Sequence, residues 1–282
     1  MSAPAAAPPR PRRLPFDPWH LVLAPACALL AVPLVWMLVS SFMTPAQLNR
    51  FPPTIIPESL HVDGYRYLFA NAELPTWFLN STIVSGVCVV ANLVFCSMAG
   101  YAFARLDFRG SRVLLATMIA TLLIPFQLTL IPTFILMQKL GLIDTLGALI
   151  VPSLVMPFGV FLLRQFFLSL PREVEEAAWI DGCSRRMILW RIVLPLARPA
   201  LATLAVITFL LTWNDVSWPA IAISSEEHNT LPLGVASFKS RAETQPSAIM
   251  AANVLATLPV LLAFLAAQRT FVRSLASSAV KG

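Results

Sequence analysis

The sequence predicts an all-α membrane protein of six spanning helices, on three observations. Hydrophobic residues make up 57% of the chain and charged ones only 12%, which leaves too few polar side chains to cover a water-soluble fold but suits one whose outside meets lipid. Apolar runs long enough to cross a hydrocarbon core, roughly 20 residues at about 1.5 Å each, recur along the chain. Lys and Arg gather in alternate connections between these runs, as the retention of basic loops on the cytoplasmic side requires. The 282 residues therefore read as one membrane domain over 19–282, preceded by a tail over 1–18, with no separate catalytic module.

Residues 1–18 are rich in Ala, Pro and Arg and hold too little apolar area to order themselves, so a flexible cytoplasmic tail is expected. Spans follow near 19–42, 76–104, 113–138, 145–168, 197–220 and 248–270. The second is the clearest, because no charged residue falls between Leu74 and Ala104. The fifth is the weakest, interrupted by Asp215 after Asn214. Pro25, Pro33, Pro125, Pro132, Pro152, Pro157 and Pro259 lie within spans and bend them. With the N-terminus inside, the inner segments hold 15 of the 20 basic residues, from Arg10 through Arg105, Arg109, Arg185 and Arg186 to Lys281. The outer ones hold only Arg50, Arg66, Lys139, Lys239 and Arg241. That bias predicts both termini in the cytoplasm.

Several functions are disfavoured. Cys27, Cys88 and Cys96 lie in apolar runs as small hydrophobes, Cys183 stands alone in a charged stretch, and His20, His61 and His228 are far apart. Neither a metal site nor a His-based triad has its ligands at a workable spacing. The net charge of +6 is spread over loops, without the basic stripe and interleaved aromatics that nucleic acid calls for. No GxxxxGK[ST] loop occurs to cradle phosphates. A proton- or sodium-driven carrier would place acids within the spans, and only Asp215, near a helix end, is available.

The most charged inner segment is PREVEEAAWIDGCSRRMILWRIVLP, residues 171–195. Pro171 suits the first position of a helix, and Glu173, Glu175 and Glu176 set negative charge at its positive end. A short helix to about Ile180 is expected, thin on one side at Ala177 and Ala178 where a partner's groove can approach. Gly182 then turns the chain, Ser184 caps a second short helix, and Pro195 closes it. Periodicity alone also allows an amphipathic helix lying on the membrane surface.

Glu176, Ala177, Ala178, Asp181 and Gly182, followed by Ile192, Leu194 and Pro195, resemble the EAA loop of permease subunits in bacterial binding-protein-dependent ABC importers. The resemblance extends to AGYAFARLDFRG at 99–110, Trp213-Asn214-Asp215, NTLPLG at 229–234, and QRTFV with a terminal AVKG; the whole is similar to the maltose-type second permease of the carbohydrate-uptake branch. Ser274, Ser277 and Ser278 stand where that family's tail commonly has glycine. The resemblance implies a type I permease fold in the bacterial inner membrane, a non-enzymatic chain that binds no cofactor, and ATP and Mg used by two cytoplasmic ATPase subunits. An external solute-binding protein and a second, different permease chain complete the implied assembly. It assigns coupling to the ATPase to Glu175, Glu176, Ala177, Ala178, Asp181, Gly182, Ile192, Leu194 and Pro195. An ion-coupled secondary transporter and a membrane scaffold are the alternatives, and neither accounts for the EAA spacing. For a sugar path the intramembrane amides Asn80, Asn92, Gln127 and Asn214 are candidates, though each can equally make an interhelical hydrogen bond.

Overall fold

In a computed structural model the described residues are 19–51, 57 and 59–279, with side chains described as far as 265 and at 268. The expected tail over 1–18, and residues 280–282 of the terminal AVKG, lie outside them. Among the described residues the chain is helical and contains no strand.

The first helix, α1 (His20–Ser40), is apolar all round and exposed along nearly its full length, the composition of a helix solvated by hydrocarbon. A short α2 (Pro45–Leu48) follows, held by a capping box between Thr44 and Gln47, in which each residue's side chain satisfies the other's backbone N–H. Helix α3 (Asp63–Asn71) packs on the last helix, and Gly64 permits this: a Cβ there would come within 2.8 Å of the Ser247 backbone. The axis of the bundle is α4 (Leu74–Arg105), 32 residues long and so about 48 Å. Its buried positions Asn80, Val84, Cys88, Asn92, Cys96 and Gly100 form one stripe.

The third expected span is not one helix. It is a pair, α5 (Ser111–Thr121) and α6 (Phe126–Lys139), bent by 105°. The cause is local: Leu122, Leu123 and Ile124 donate to the carbonyls three residues back, and Pro125, lacking an N–H, cannot carry the ladder onward. After α7 (Leu146–Ile150) and a single 3-10 turn at Val151–Ser153 comes α8 (Pro157–Ser169), and these together make the fourth span.

The connection over 171–197 holds three short helices, α9 (Glu173–Ile180), α10 (Arg185–Ile188) and α11 (Leu194–Leu196). Then α12 (Arg198–Trp213) enters the bundle at 81° to the segment before it. The end of the chain supplies α13 (Pro219–Ala222), α14 (Leu231–Arg241) and the long α15 (Pro246–Ala279). Among the described residues four helical segments can cross a membrane by length and hydropathy, or up to six when each bent pair counts as one span.

Three apolar clusters hold the bundle. One, at the end bearing residues 171–197, joins Tyr101, Leu163, Phe167, Ala178, Val193 and Leu204. A second at the opposite end joins Leu68, Trp77, Trp213, Leu231 and Phe238, and a third sets Cys88, Met137, Ala148 and Trp218 together. At about 25 cal/mol per Å² of apolar area withdrawn from water, such side chains each contribute roughly 1.5–3 kcal/mol where the alternative is aqueous. In lipid the gain is close packing instead, which explains why glycines mark the tightest contacts. A Cβ on Gly100 would sit 3.1 Å from the Arg164 backbone, and one on Gly159 would sit 2.8 Å from Leu204.

Candidate functional site

The residues of the EAA-like segment fold into a bracket at one end of the bundle. Its helix α9 starts two residues later than Pro171 suggests: Arg172 is the N-cap, and Pro171 precedes it. The acids of the first turn remain at the positive end of the helix dipole. Gly182 turns the chain at φ +82°, a left-handed conformation that disfavours side chains with a Cβ. The N–H of Gly182 meets the carbonyl of Trp179, and that of Cys183 the carbonyl of Ala178, closing the helix as a glycine C-terminus does. Ser184 caps α10 through Met187 N–H.

Pro195 does not close this second helix. The chain stays helical through Leu196 by way of a π turn at Leu189–Val193, where the regular ladder is already offset and the missing proline N–H disrupts little. The break falls at Ala197, because Pro199 has no N–H to offer the Pro195 carbonyl.

The bracket has two faces. Ala178 faces inward into the cluster with Phe167 and Ile188, so of the two alanines expected to thin one side of the helix only Ala177 is exposed. Leu194 is buried, Ile192 half-buried and Pro195 exposed. Glu176, Asp181 and Gly182 are exposed as well. Beside them stand large apolar groups that this chain leaves largely or partly exposed: Ile180 is 88% exposed, Trp179 60% and Trp190 47%. The Arg185 guanidinium lies 5.4 Å from the Trp179 ring centroid, within cation–π range.

Glu175 turns the other way. Its Oε1 accepts from Arg105 Nε at 2.6 Å and its Oε2 from Tyr101 Oη–H at 2.8 Å. Arg105 Nη2 also donates to the Leu170 carbonyl at 2.8 Å. The two charged side chains are only 6% and 15% exposed. GYAFAR carries two of these partners, but nothing in its spacing announces a contact some 70 residues away.

Of the four amides considered for a solute path, Asn80 and Asn92 are committed elsewhere. Asn80 donates to the carbonyls of Glu227 and Asn229. Asn92 donates to those of Cys88 and Ser153, and its Oδ1 accepts from Met156 N–H. These bonds fasten α4 to the chain between helices, at 226–229 and 153–156, rather than to another helix. Gln127 is exposed beside the α5–α6 break. Asn214 lines a cleft of about 600 Å³ between α4, that break, α8 and the end of α12, along with Phe126, Phe158, Asp215 and Trp218. Sequence reasoning did not single out Phe126 or Phe158; an aromatic in a continuous apolar run carries no signal of what it faces.

At the opposite end Asp144 organises the chain after α13. It sits at φ +61°; Oδ1 accepts from the N–H groups of Ser224 and Ser225, and Oδ2 from the Ser225 hydroxyl. Those bonds hold its carboxyl down to a pKa of about 2. The Arg241 bond likewise lowers Glu226 below its ordinary value.

Comparison with known proteins agrees with this arrangement. The chain is 38% identical over 273 residues to the arabinooligosaccharides transport system permease protein AraQ of Halalkalibacterium halodurans, covering 95% of this chain and 98% of that protein. It is 33% identical to the lactose transport system permease protein LacG of Rhizobium radiobacter, covering 95% and 97%. The fold matches a bacterial ABC transporter involved in the import of alginate at a TM-score of 0.77 and 23% identity, over 90% of this chain and 98% of that one. The pattern that defines the binding-protein-dependent transport system inner membrane component matches residues 94–277, which include the whole bracket. The chain is therefore a multi-pass inner-membrane permease of the binding-protein-dependent ABC importer family, a transport component rather than an enzyme, working with an ATPase and a binding protein.

Proposed function

We propose that this chain forms one half of the path by which a sugar or sugar-like solute, delivered by an external binding protein, enters the cell. A second, different permease chain forms the other half and two cytoplasmic ATPase subunits drive the cycle with ATP and Mg. The observation that carries the coupling is α9: a short helix at the end of the bundle that packs inward through Glu175 and Ala178, leaves Trp179 and Ile180 largely exposed and is closed by a left-handed glycine. An apolar patch of this kind outside the bilayer calls for a protein partner. Glu176, Ala177, Asp181, Gly182 and Pro195 face that partner. Glu175, Ala178 and Leu194 hold the bracket to the bundle from inside, and Ile192 stands between. ATPase closure would push α9 and swing the bundle as a rigid body between outward-open and inward-open states.

The bracket end carries Arg109, Arg112, Arg172, Arg185, Arg186, Arg191 and Arg198, which favours placing it, and both termini, in the cytoplasm. The opposite end, with its loops over 43–75 and 221–247, then faces the binding protein. Oligosaccharide names among the relatives and the aromatic lining of the cleft at Asn214 support a carbohydrate substrate. The test is copurification with the ATPase, followed by uptake in proteoliposomes across a panel of sugars. Cysteine labels at Glu227 should react from outside and at Arg109 and Arg185 only from inside. Uptake of no sugar in the panel, or outside labelling of Arg185, would overturn the corresponding part.

A further inference from the structure

We propose that Glu175, Arg105 and Tyr101 form the joint through which motion of α9 reaches the bundle, and so act as positioning residues for energy coupling. This rests on the coupling role of α9 proposed above. Each carboxylate oxygen of Glu175 has its own donor, Arg105 Nε on one and Tyr101 Oη–H on the other. Arg105 is the last residue of α4, and its second contact, to the Leu170 carbonyl, takes hold of the residue that ends α8. One guanidinium thus ties three helix ends together. Buried at 6% and 15% exposure, the pair is shielded from the solvent that makes surface ion pairs loose and weak.

Position is the property such a pair contributes. A buried ion pair is often no more stabilising than apolar groups of the same volume, but its bonds are directional, and the planar Arg105 fork fixes orientation as a hydrophobic contact cannot. The two long helices it joins are themselves locked. The Gly100 backbone lies against α8 closely enough that a Cβ would sit 3.1 Å from Arg164 N, and Arg164 Nε donates to the Phe103 carbonyl. The far side of the bracket is built differently. From α10 the chain runs through the π turn to the 81° break at Ala197, where the α-helical ladder is interrupted. A push on α9 is therefore transmitted stiffly to the α4–α8 pair, while the change of angle toward α12 is absorbed at residue 197.

The experiment uses the whole importer in proteoliposomes and reads substrate imported per ATP hydrolysed, with membrane abundance and copurified ATPase measured alongside. Glu175→Gln keeps the shape and one acceptor oxygen, but sets an amide N–H against a donor. ATP spent per substrate should rise on the order of tenfold, the scale of losing one charge-assisted bond from a two-state element. Tyr101→Phe removes a single donor and leaves the ring on Phe167, so a rise of about threefold is expected on the same grounds. A purely structural role predicts something else: uptake and hydrolysis would fall together, in proportion to abundance, with the ratio unchanged. Unchanged ratios in both variants overturn the proposal. Spin labels at Glu173 and Gln165, both exposed, give a second reading. Their separation should stay constant between nucleotide-free and ATP-trapped wild type and shift in Glu175→Gln; a shift already present in wild type also overturns it. Glu176→Lys keeps the two proposals apart, because lost ATPase copurification there with a silent Glu175→Gln removes the joint alone, whereas normal copurification and uptake in Glu176→Lys removes the coupling role of α9 itself.

Discussion

The two ends of this bundle satisfy their loops in opposite ways. At the end bearing Asp144, the chain from Ser224 to Leu231 is fastened to the helices by side chains from elsewhere: Trp77 and Asn80 bind the carbonyls of Glu226, Glu227 and Asn229, and Ser81 accepts from Leu231 N–H. At the other end the bracket over 173–196 satisfies its own backbone with helical turns and caps but leaves Ile180 and much of Trp179 and Trp190 exposed. A loop fastened along its backbone behaves as a fixed plate, whereas a loop with unspent apolar surface is half of an interface. Substitutions at the first end should therefore appear as lost stability, and at the second as lost coupling.

The largest effect is expected at Gly182. A Cβ there would touch nothing within 4 Å, so crowding plays no part and only the left-handed backbone matters, at roughly 1–2 kcal/mol for a β-branched residue. Gly182→Val should tilt α9 and reduce uptake to background at normal membrane abundance, while Gly182→Asn, which tolerates that conformation, should retain most of it. Equal loss in both variants would show that the surface, not the turn, is what matters. Glu176→Lys sharpens the same point by placing positive charge at the positive end of the helix and on the face proposed to meet the ATPase. Copurification should fail while the melting temperature in detergent stays near that of wild type.

Next in size is Gly234, at the end bearing Asp144. A Cβ there would overlap the buried Trp77 indole, so Gly234→Ala should lower stability by about 1–3 kcal/mol, the usual cost of overpacking. Lower abundance should follow, with uptake per molecule retained. Asn92→Leu tests the polar core between the two ends. It strands the Ser153 carbonyl and the Met156 N–H, and leaving buried polar groups unpaired costs roughly 1–3 kcal/mol. Thermal unfolding monitored by tryptophan fluorescence reads both variants. A changed ratio of ATP spent to substrate imported in either one would blur the division between the ends.

How much of this could be read beforehand depends on how far a feature reaches along the chain. The spans were legible because the bilayer imposes length and hydropathy on consecutive residues, as in Leu74–Arg105. The Gly182 turn and the Ser184 cap were legible because they act within a few residues. The break at Pro125 was half legible: proline announces a bend, but whether a helix only curves or turns through 105° depends on what packs against it. Closure at Pro195 misled because a π turn two residues earlier had already shifted the ladder. The inward turn of Glu175 and Ala178, and the engagement of Asn80 by residues 147 and 149 positions away, had no local sign, since the partner is set by the fold.

The smallest effect, and the one that tests the fixed plate most directly, is the pH response of Asp144. Its carboxyl falls from the ordinary 3.8 to about 2 because the Ser225 hydroxyl and the N–H groups of Ser225 and Ser224 all bind the ionised form. A depressed folded-state value means that the unfolded chain takes up its proton first as pH drops. The contribution of Asp144 is therefore complete above about pH 4, and is lost between there and about pH 2. The side chain is about a third exposed to solvent, so water offsets part of the gain and the effect should be modest. Asp144→Asn retains an acceptor but has no proton to gain. Its melting temperature should lie below that of wild type at neutral pH, with the gap closing as the pH is taken from about 5 toward 3. A gap that stays constant across that range would mean that the Ser224–Ser225 turn is held by backbone geometry alone, including the Asp144 N–H bond to the Ala222 carbonyl, and not by the charge.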